Sequence, residues 1–318
     1  MRVSILIPCF NAHQWIRQAI ESALAQSWRD TEIIVVDDGS TDGSLDIVKE
    51  FDGRVRWESA ANAGANPTRN RLLRLATGAW LQYLDADDYL LPDKIAGQVH
   101  VLDHHPDTDV VFGPVTLEHH ERGGMRRELL AIAEPHDPWL LLARWYLPQT
   151  GGPLWRKQAI EAVGGWKDDQ PACQEHELYL RLLMAGKCFR YDDSNGAVYR
   201  QWSETTLWKK DKARTRALRL EIEDRLEAFL KSREQLTPER HWAINMSRFE
   251  LARAAWHDRR EEALAIASRI DQSMPDFVPA GDAAPPRYQL AYRWLGFTVT
   301  EMVASWTRRV GRGSSTRD

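Results

Sequence analysis

The sequence predicts an open, mostly parallel α/β sheet followed by a helical appendage. Two observations carry that expectation. From Val3 to Leu84, short apolar runs alternate with stretches whose apolar residues recur at helical spacing. Near Ser203 the character changes, and charged and alanine-rich helical stretches follow. The expected organisation is an α/β domain over 1–205 and a helical region over 206–318.

The elements follow in order. VSILIP (3–8) is a short apolar run stopped by proline, and reads as a strand buried on both faces. Residues 13–26 place Trp15, Ile16, Ala19, Ile20, Ala23 and Leu24 on one helical stripe. EIIVV (32–36) is a second buried strand, 42–51 a helix, VRWES (55–59) a third strand, 67–76 a helix and AWLQYL (79–84) a fourth strand. DVVFGPV (109–115) is another strand, expected to pair with 116–121 through a hairpin. The Pro- and Trp-rich segment 123–153 assigns to no element. A helix is expected over 175–185 and a last short strand at GAVYR (196–200). The tail predicts a charged helix over 209–232, two packed helices over 241–270 and an amphipathic helix over 288–309.

Bulk properties narrow the class. The chain has 318 residues, 43% hydrophobic and 28% charged, which reads as a soluble globular protein with ample core. Its net charge of 42 − 46 = −4 gives no reason to expect nucleic acid as a partner. No apolar stretch is long enough for a membrane span or signal peptide. The three cysteines, Cys9, Cys173 and Cys188, form no CxxC pair, which argues against a disulfide framework or zinc site. A cytoplasmic protein is the expectation.

The loops after successive strands lie at one sheet edge, where such folds bind ligands. The first, PCFNAHQ, has no glycine. It therefore carries neither the GxGxxG of a dinucleotide site nor a P-loop. A nucleotide bound here needs its phosphates neutralised otherwise, and a divalent cation held by carboxylates is the direct means. YLDADDYL (83–90) offers Asp85, Asp87 and Asp88 for this; the plain alternative is an ordinary acidic turn.

VSILIPCFN, VVDDGSTD, NAGANPTRN and YLDADD, in this order, resemble the nucleotide-sugar domain of family 2 glycosyltransferases, the GT-A fold. The likeness continues through LWRKQAIEAVGGW (154–166) and QEHELYLRLLMAGK (174–187), and covers about the first 200 residues.

The resemblance implies a set of roles. Asp38 would hydrogen-bond the nucleotide base, with an Asx-turn as its structural alternative. Pro8 and Phe10 would wall the base, though strand termination and core fit them as well. Asn62 and Gly64 shape the third loop. Arg69 would approach the nucleotide, or else line a solvated helix face. Asp85 would meet ribose or metal, Asp87 would ligate Mn²⁺ or Mg²⁺, and Asp88 suits a helix N-cap. Where the family carries an ED pair, this chain has Gln174 and Glu175, so Glu175 is expected as the base that deprotonates the acceptor, with Glu177 as runner-up. Trp166, after two glycines, would stack on a sugar. Trp139, Trp145, Trp155 and Trp202 fall where an acceptor would dock. Trp202 stands near the position of a histidine common in the family, so no third metal ligand is expected.

The implied activity is inverting transfer of a sugar from a nucleotide-diphosphate sugar, UDP-linked, to a saccharide, lipid-linked or other hydroxyl acceptor in glycoconjugate assembly. A nucleotide-sugar-binding module without catalysis and a nucleotidyltransferase stand as alternatives. The basic, aromatic tail with Trp294, Phe297, Trp306 and Arg293 suits either packing on its own domain or contact with the inner membrane face.

Overall fold

A computed structural model describes residues 1–121, 124–202 and 211–313. The chain divides into two compact units, Met1–Pro138 with Tyr146–Thr215, and Trp139–Trp145 with Arg216–Asp318. The boundary expected at 205–206 and the helix start expected at 209 lie outside the described residues.

The first unit runs β1 (Val3–Cys9), α1 (Ile16–Leu24), β2 (Thr31–Asp37), α2 (Ser44–Lys49), β3 (Arg56–Ser59), α3 (Ala65–Leu75), β4 (Trp80–Tyr83), β5 (Tyr89–Leu90), α4 (Lys94–His104), β6 (Val110–Phe112), β7 (Val115–Glu121) and β8 (Gly124–Leu130). A short helix, α5 (Pro138–Ala143), belongs from Trp139 onward to the second unit, and the first unit resumes with β9 (Leu154–Arg156), α6 (Lys157–Ala162), α7 (Gln174–Met184), β10 (Phe189–Tyr191) and β11 (Ala197–Gln201).

Seven strands form the central sheet in the order β10-β6-β9-β4-β1-β2-β3. All pairs are parallel except those that β9 makes with β4 and β6. Val3, Ile5 and Ile7 on one face of β1 pack with Ile16, Ala19, Ile20 and Ala23 of α1. Leu6, on the other face, is equally inaccessible. Burial of both faces is what the uninterrupted apolar runs of β1 and β2 encode.

A smaller sheet, β5-β11-β7-β8, corrects one expectation. The run 109–115 is not one strand, and it makes no hairpin with 116–121. It breaks at Gly113-Pro114, so that β6 stays in the central sheet and β7 joins the small one, where it pairs with β8 and β11. The reason is steric. A Cβ on Gly113 would lie 2.4 Å from the Asp192 carbonyl oxygen, and proline has no N–H to continue a ladder. β8 lies inside the segment that sequence left unassigned, because all seven of its residues are exposed and give no alternation.

The second unit is helical: α8 (Lys212–Ser232), α9 (Pro238–Ala255), α10 (Arg260–Ser273) and α11 (Pro286–Gly313). Thr237 caps α9 by accepting from the Arg240 N–H, with Pro238 at the first helical position. Its core centres on Phe249, ringed by Phe277, Tyr288, Tyr292 and Phe297. Four of the six alanines of LARAAW and EEALAIA are buried there, Ala252, Ala255, Ala263 and Ala267, while Ala254 and Ala265 are exposed. α11 is broken at Gly296, whose φ of 68° and ψ of −179° suit glycine alone.

Candidate active site

The parallel register brings the strand ends to one edge. Cys9 of β1 pairs with Asp37 of β2, Asp37 with Ser59 of β3, and Leu6 of β1 with Tyr83 of β4. The residues just beyond, Phe10, Asp38, Asn62 and Asp85, therefore emerge together, beside Pro8. Phe10 is 51% exposed, so it belongs to an open wall rather than to the core, and Pro8 is half-buried.

Asp38 is buried and heavily bonded. Its carboxylate accepts from the Ala63 N–H at 2.8 Å, the Gly64 N–H at 2.9 Å and Asn62 Nδ2 at 3.1 Å. It thus closes the third edge loop, against which Gly39 also packs. A Cβ on Gly39, at φ 76°, would lie 2.9 Å from the Asn62 backbone nitrogen. Asp37 does similar work, accepting from Ser59 Oγ and the Ser40 N–H.

The acid turn between β4 and β5 separates its three carboxylates. Asp85 is half-buried and forms an ion pair with Arg69 at 2.8 Å. Asp87 is half-buried and accepts from the Trp202 indole N–H at 3.0 Å. Asp88 is buried, and accepts from the Arg200 backbone N–H at 2.8 Å. Asp88 is therefore not a helix cap; Asp93 holds that position in α4, and Asp88 ties the turn to β11. Burial pushes the Asp87 carboxyl up from the usual range, and the charge of Asp85 adds to it. Burial pushes Asp88 up much further, with Asp87 and Asp85 adding.

Arg69 is the hub of a buried chain of bonds, not a residue of a solvated face. It donates to Asp85, to Gln174 Oε1 at 2.6 Å, to Asn66 Oδ1 at 3.2 Å and to Thr150 Oγ1 at 3.5 Å. Thr150 in turn donates to Glu175 at the start of α7. A continuous path thus runs Asp85–Arg69–Thr150–Glu175. Glu177, by contrast, is buried and bonded to Arg181 at 2.7 Å, which removes it from the edge.

Trp166 is corrected. It is 2% exposed, too buried to receive a sugar. Its ring meets Tyr83 edge to face, and the Arg69 guanidinium sits over it at 4.8 Å. The loop that delivers it is fastened to α3. Asn70 donates to the Trp166 carbonyl at 2.7 Å and accepts from its N–H at 2.8 Å. Asn66 donates to the Lys167 carbonyl. Trp155 is wholly buried, Trp139 stacks on Phe229 and Trp145 packs under Arg219. Of these four tryptophans only Trp202 is largely exposed, at 43%.

Sequence reasoning missed Arg200. It is 3% exposed, donates to the Asp87 carbonyl at 2.8 Å and to Gln18, pairs with Glu118 at 3.3 Å, and lies over the rings of Trp15 and Tyr89. It staples the acid turn from below. The available signal was an arginine inside an otherwise buried strand, YRQ.

The donor set suits a hard divalent cation. Asp85 and Asp87 are carboxylates at the rim of the edge, and among the described residues no cationic side chain pairs with Asp87. Among those residues no group of three or more His, Cys, Asp or Glu converges on one point. Two carboxylates completed by phosphate oxygens and water is the usual Mg²⁺ arrangement.

Comparison with known proteins identifies the family of one segment. A model of glycosyl transferase family 2 matches residues 4–157, the segment that builds the strand ends and the acid turn. Residues 4–157 belong to glycosyl transferase family 2. The chain is 42% identical over 94 residues to the uncharacterized glycosyltransferase YibD of Escherichia coli K12, covering 29% of this chain and 27% of YibD. It is 38% identical over 112 residues to the UDP-Glc:alpha-D-GlcNAc-diphosphoundecaprenol beta-1,3-glucosyltransferase WfaP of Escherichia coli, covering 35% of this chain and 43% of WfaP. The matches thus span about a quarter of YibD and under half of WfaP. In fold, the chain is similar to Staphylococcus aureus TarS 1-349 solved with UDP-GlcNAc. The TM-score is 0.63 at 14% identity, covering 87% of this chain and 82% of that one, which identifies a GT-A-type α/β fold.

Proposed function

We propose that the chain transfers a sugar, with inversion, from a UDP-linked donor to a hydroxyl acceptor. The observation that carries this reading is the path Asp85–Arg69–Thr150–Glu175, which links the acid turn to a first-turn carboxylate. In support, WfaP takes UDP-Glc, TarS was solved with UDP-GlcNAc, and both the family and the edge geometry agree with a nucleotide-sugar site. A lipid-linked acceptor follows the diphosphoundecaprenol substrate in the name of WfaP.

In this reading the base lies against Phe10 and Pro8, with Asp38 and Asn62 fixing the loop beneath it. Arg69 positions Asp85 for the ribose or the diphosphate. Asp87, with Asp85, would hold Mn²⁺ or Mg²⁺, whose charge neutralises the diphosphate. The Glu175 carboxylate takes the proton of the acceptor hydroxyl. That oxygen forms a bond to the anomeric carbon as the carbon–oxygen bond to the diphosphate breaks. Attack from the face opposite the leaving group inverts the centre. Thr150 holds one carboxylate oxygen of Glu175 and leaves the other to receive the proton.

The test is Glu175→Gln, assayed with a panel of UDP-sugars and saccharide or lipid-linked acceptors. Turnover should fall about 10²–10⁴-fold, the usual contribution of a general base, with UDP affinity retained. Equal turnover by the variant would remove Glu175 from this role.

A further inference from the structure

We propose that the outer face of α11 seats on an anionic lipid surface, holding the enzyme on a membrane without crossing it. This goes beyond the transfer reaction and does not depend on its residues.

The inner face of α11 is occupied. Tyr288, Tyr292, Phe297, Thr300 and Glu301 are buried, and Glu301 accepts from Arg253 and from the Tyr288 hydroxyl. The outer face is apolar as well, contrary to a simple surface helix. Before the break at Gly296 it presents Leu290, Trp294 and Leu295, and after it Val299, Met302, Val303 and Trp306. Trp294 is 81% exposed and Trp306 68%. These seven are nearly half of the fifteen exposed large apolar side chains among the described residues, gathered on one helix. A grouping of that kind marks a contact surface.

Charge identifies the occupant. The sequence of α11 holds five arginines, Arg287, Arg293, Arg308, Arg309 and Arg312, and one acid, Glu301, a balance of 5 − 1 = +4 in a chain of net −4. Glu301, the one acid of α11, is fully buried, so the helix itself presents no exposed acid beside Arg287 and Arg293. Two such faces docked together would oppose like charges, whereas anionic headgroups supply the opposite charge. Indole rings also favour the headgroup level. Among the described residues no helix is long and apolar enough to cross a membrane, which leaves a helix lying in the interface.

The experiment is flotation of the full chain with phosphatidylcholine vesicles, with and without phosphatidylglycerol, beside light scattering of the protein alone. The chain should float with the anionic vesicles, and added salt should weaken the binding. Trp294→Ser combined with Trp306→Ser should weaken it about tenfold or more. Arg287→Gln combined with Arg293→Gln, which leaves the apolar packing alone, should weaken it severalfold. Circular dichroism and thermal unfolding check that each variant keeps its fold. The proposal fails if the chain ignores anionic vesicles, if both pairs of substitutions leave flotation unchanged, or if the serine pair instead dissolves a dimer that never floats.

Discussion

The acids of the helical unit and the acids of the turn after β4 live under opposite rules. In the helical unit, buried and half-buried carboxylates are matched to arginines. Glu223 pairs with Arg219, Asp224 and Glu227 with Arg248, and Glu301 with Arg253. In the acid turn, Asp85 has Arg69, but Asp87 and Asp88 receive only neutral N–H donors to their carboxylates. The first arrangement is complete in itself. The second gathers three acids with one direct ion pair, the Arg200 charge acting on Asp87 and Asp88 and burial pushing both of those carboxyls up. The contrast separates carboxylates saturated within the fold, Asp88 among them, from the rim pair Asp85 and Asp87, the proposed metal ligands.

The largest break in this comparison should come at Asp87. In Asp87→Ala, stabilisation of the protein by a UDP-sugar should lose its dependence on Mn²⁺, and turnover should fall by several kcal/mol of barrier. Thermal shift with and without Mn²⁺ reads the first effect; metal-dependent stabilisation surviving in the variant would end the assignment. Next, Arg248→Ala should cost about 3 kcal/mol of stability, because it takes the buried arginine from Glu227, which keeps Ser273 and His241, while Asp224 keeps Arg269. Turnover per folded molecule should not change, and chemical denaturation beside an active-fraction assay measures both.

Glu118 offers an intermediate case, a paired acid beside the turn. Burial opposes its ionisation, but bonds from Tyr89, His120 and Arg127 and the charge of Arg200 outweigh it and bring its carboxyl to about 2. The unfolded chain then binds the extra proton first as pH falls. The stabilisation is therefore complete above about pH 4.5 and lost toward pH 2, about 3 kcal/mol in all. The stability gap between wild type and Glu118→Gln should shrink over that window; a gap independent of pH would show that Glu118 does not titrate there. The smallest effect is expected at Trp202→Phe. Removing the N–H that orients Asp87 should weaken Mn²⁺ binding about 10–100-fold, the range for lost support of a ligating carboxylate. Calorimetric titration with the metal and UDP measures it, and unchanged affinity would reduce Trp202 to a bystander.

Much of the central sheet was legible because its information is local. The apolar runs of β1, β2 and β4 and the stripe of α1 each lie within one short window. Emergence of Phe10, Asp38, Asn62 and Asp85 at one edge then follows from parallel register alone. What sequence hid is long-range. Arg200 and Trp202 reach the acid turn across more than a hundred residues, and β5, two residues long, pairs only because β11 lies beside it. Local reasoning took Asp88 for a helix cap, since a proline and a helix follow it, but the partner that claims it comes from β11. Sequence likewise leaves Glu177 open, two residues on from Glu175, whereas in the fold Arg181 bonds it.

The Asn70–Gly165 contact sets a condition on how this chain can change over generations. A Cβ on Gly165, at φ 75°, would lie 2.6 Å from Asn70 Oδ1, the same oxygen that accepts the Trp166 N–H. Neither position is free to drift alone. A larger residue at 165 requires a shorter one at 70, and a shorter one at 70 surrenders the bonds that fasten the loop. One contact thus constrains two positions ninety-five residues apart.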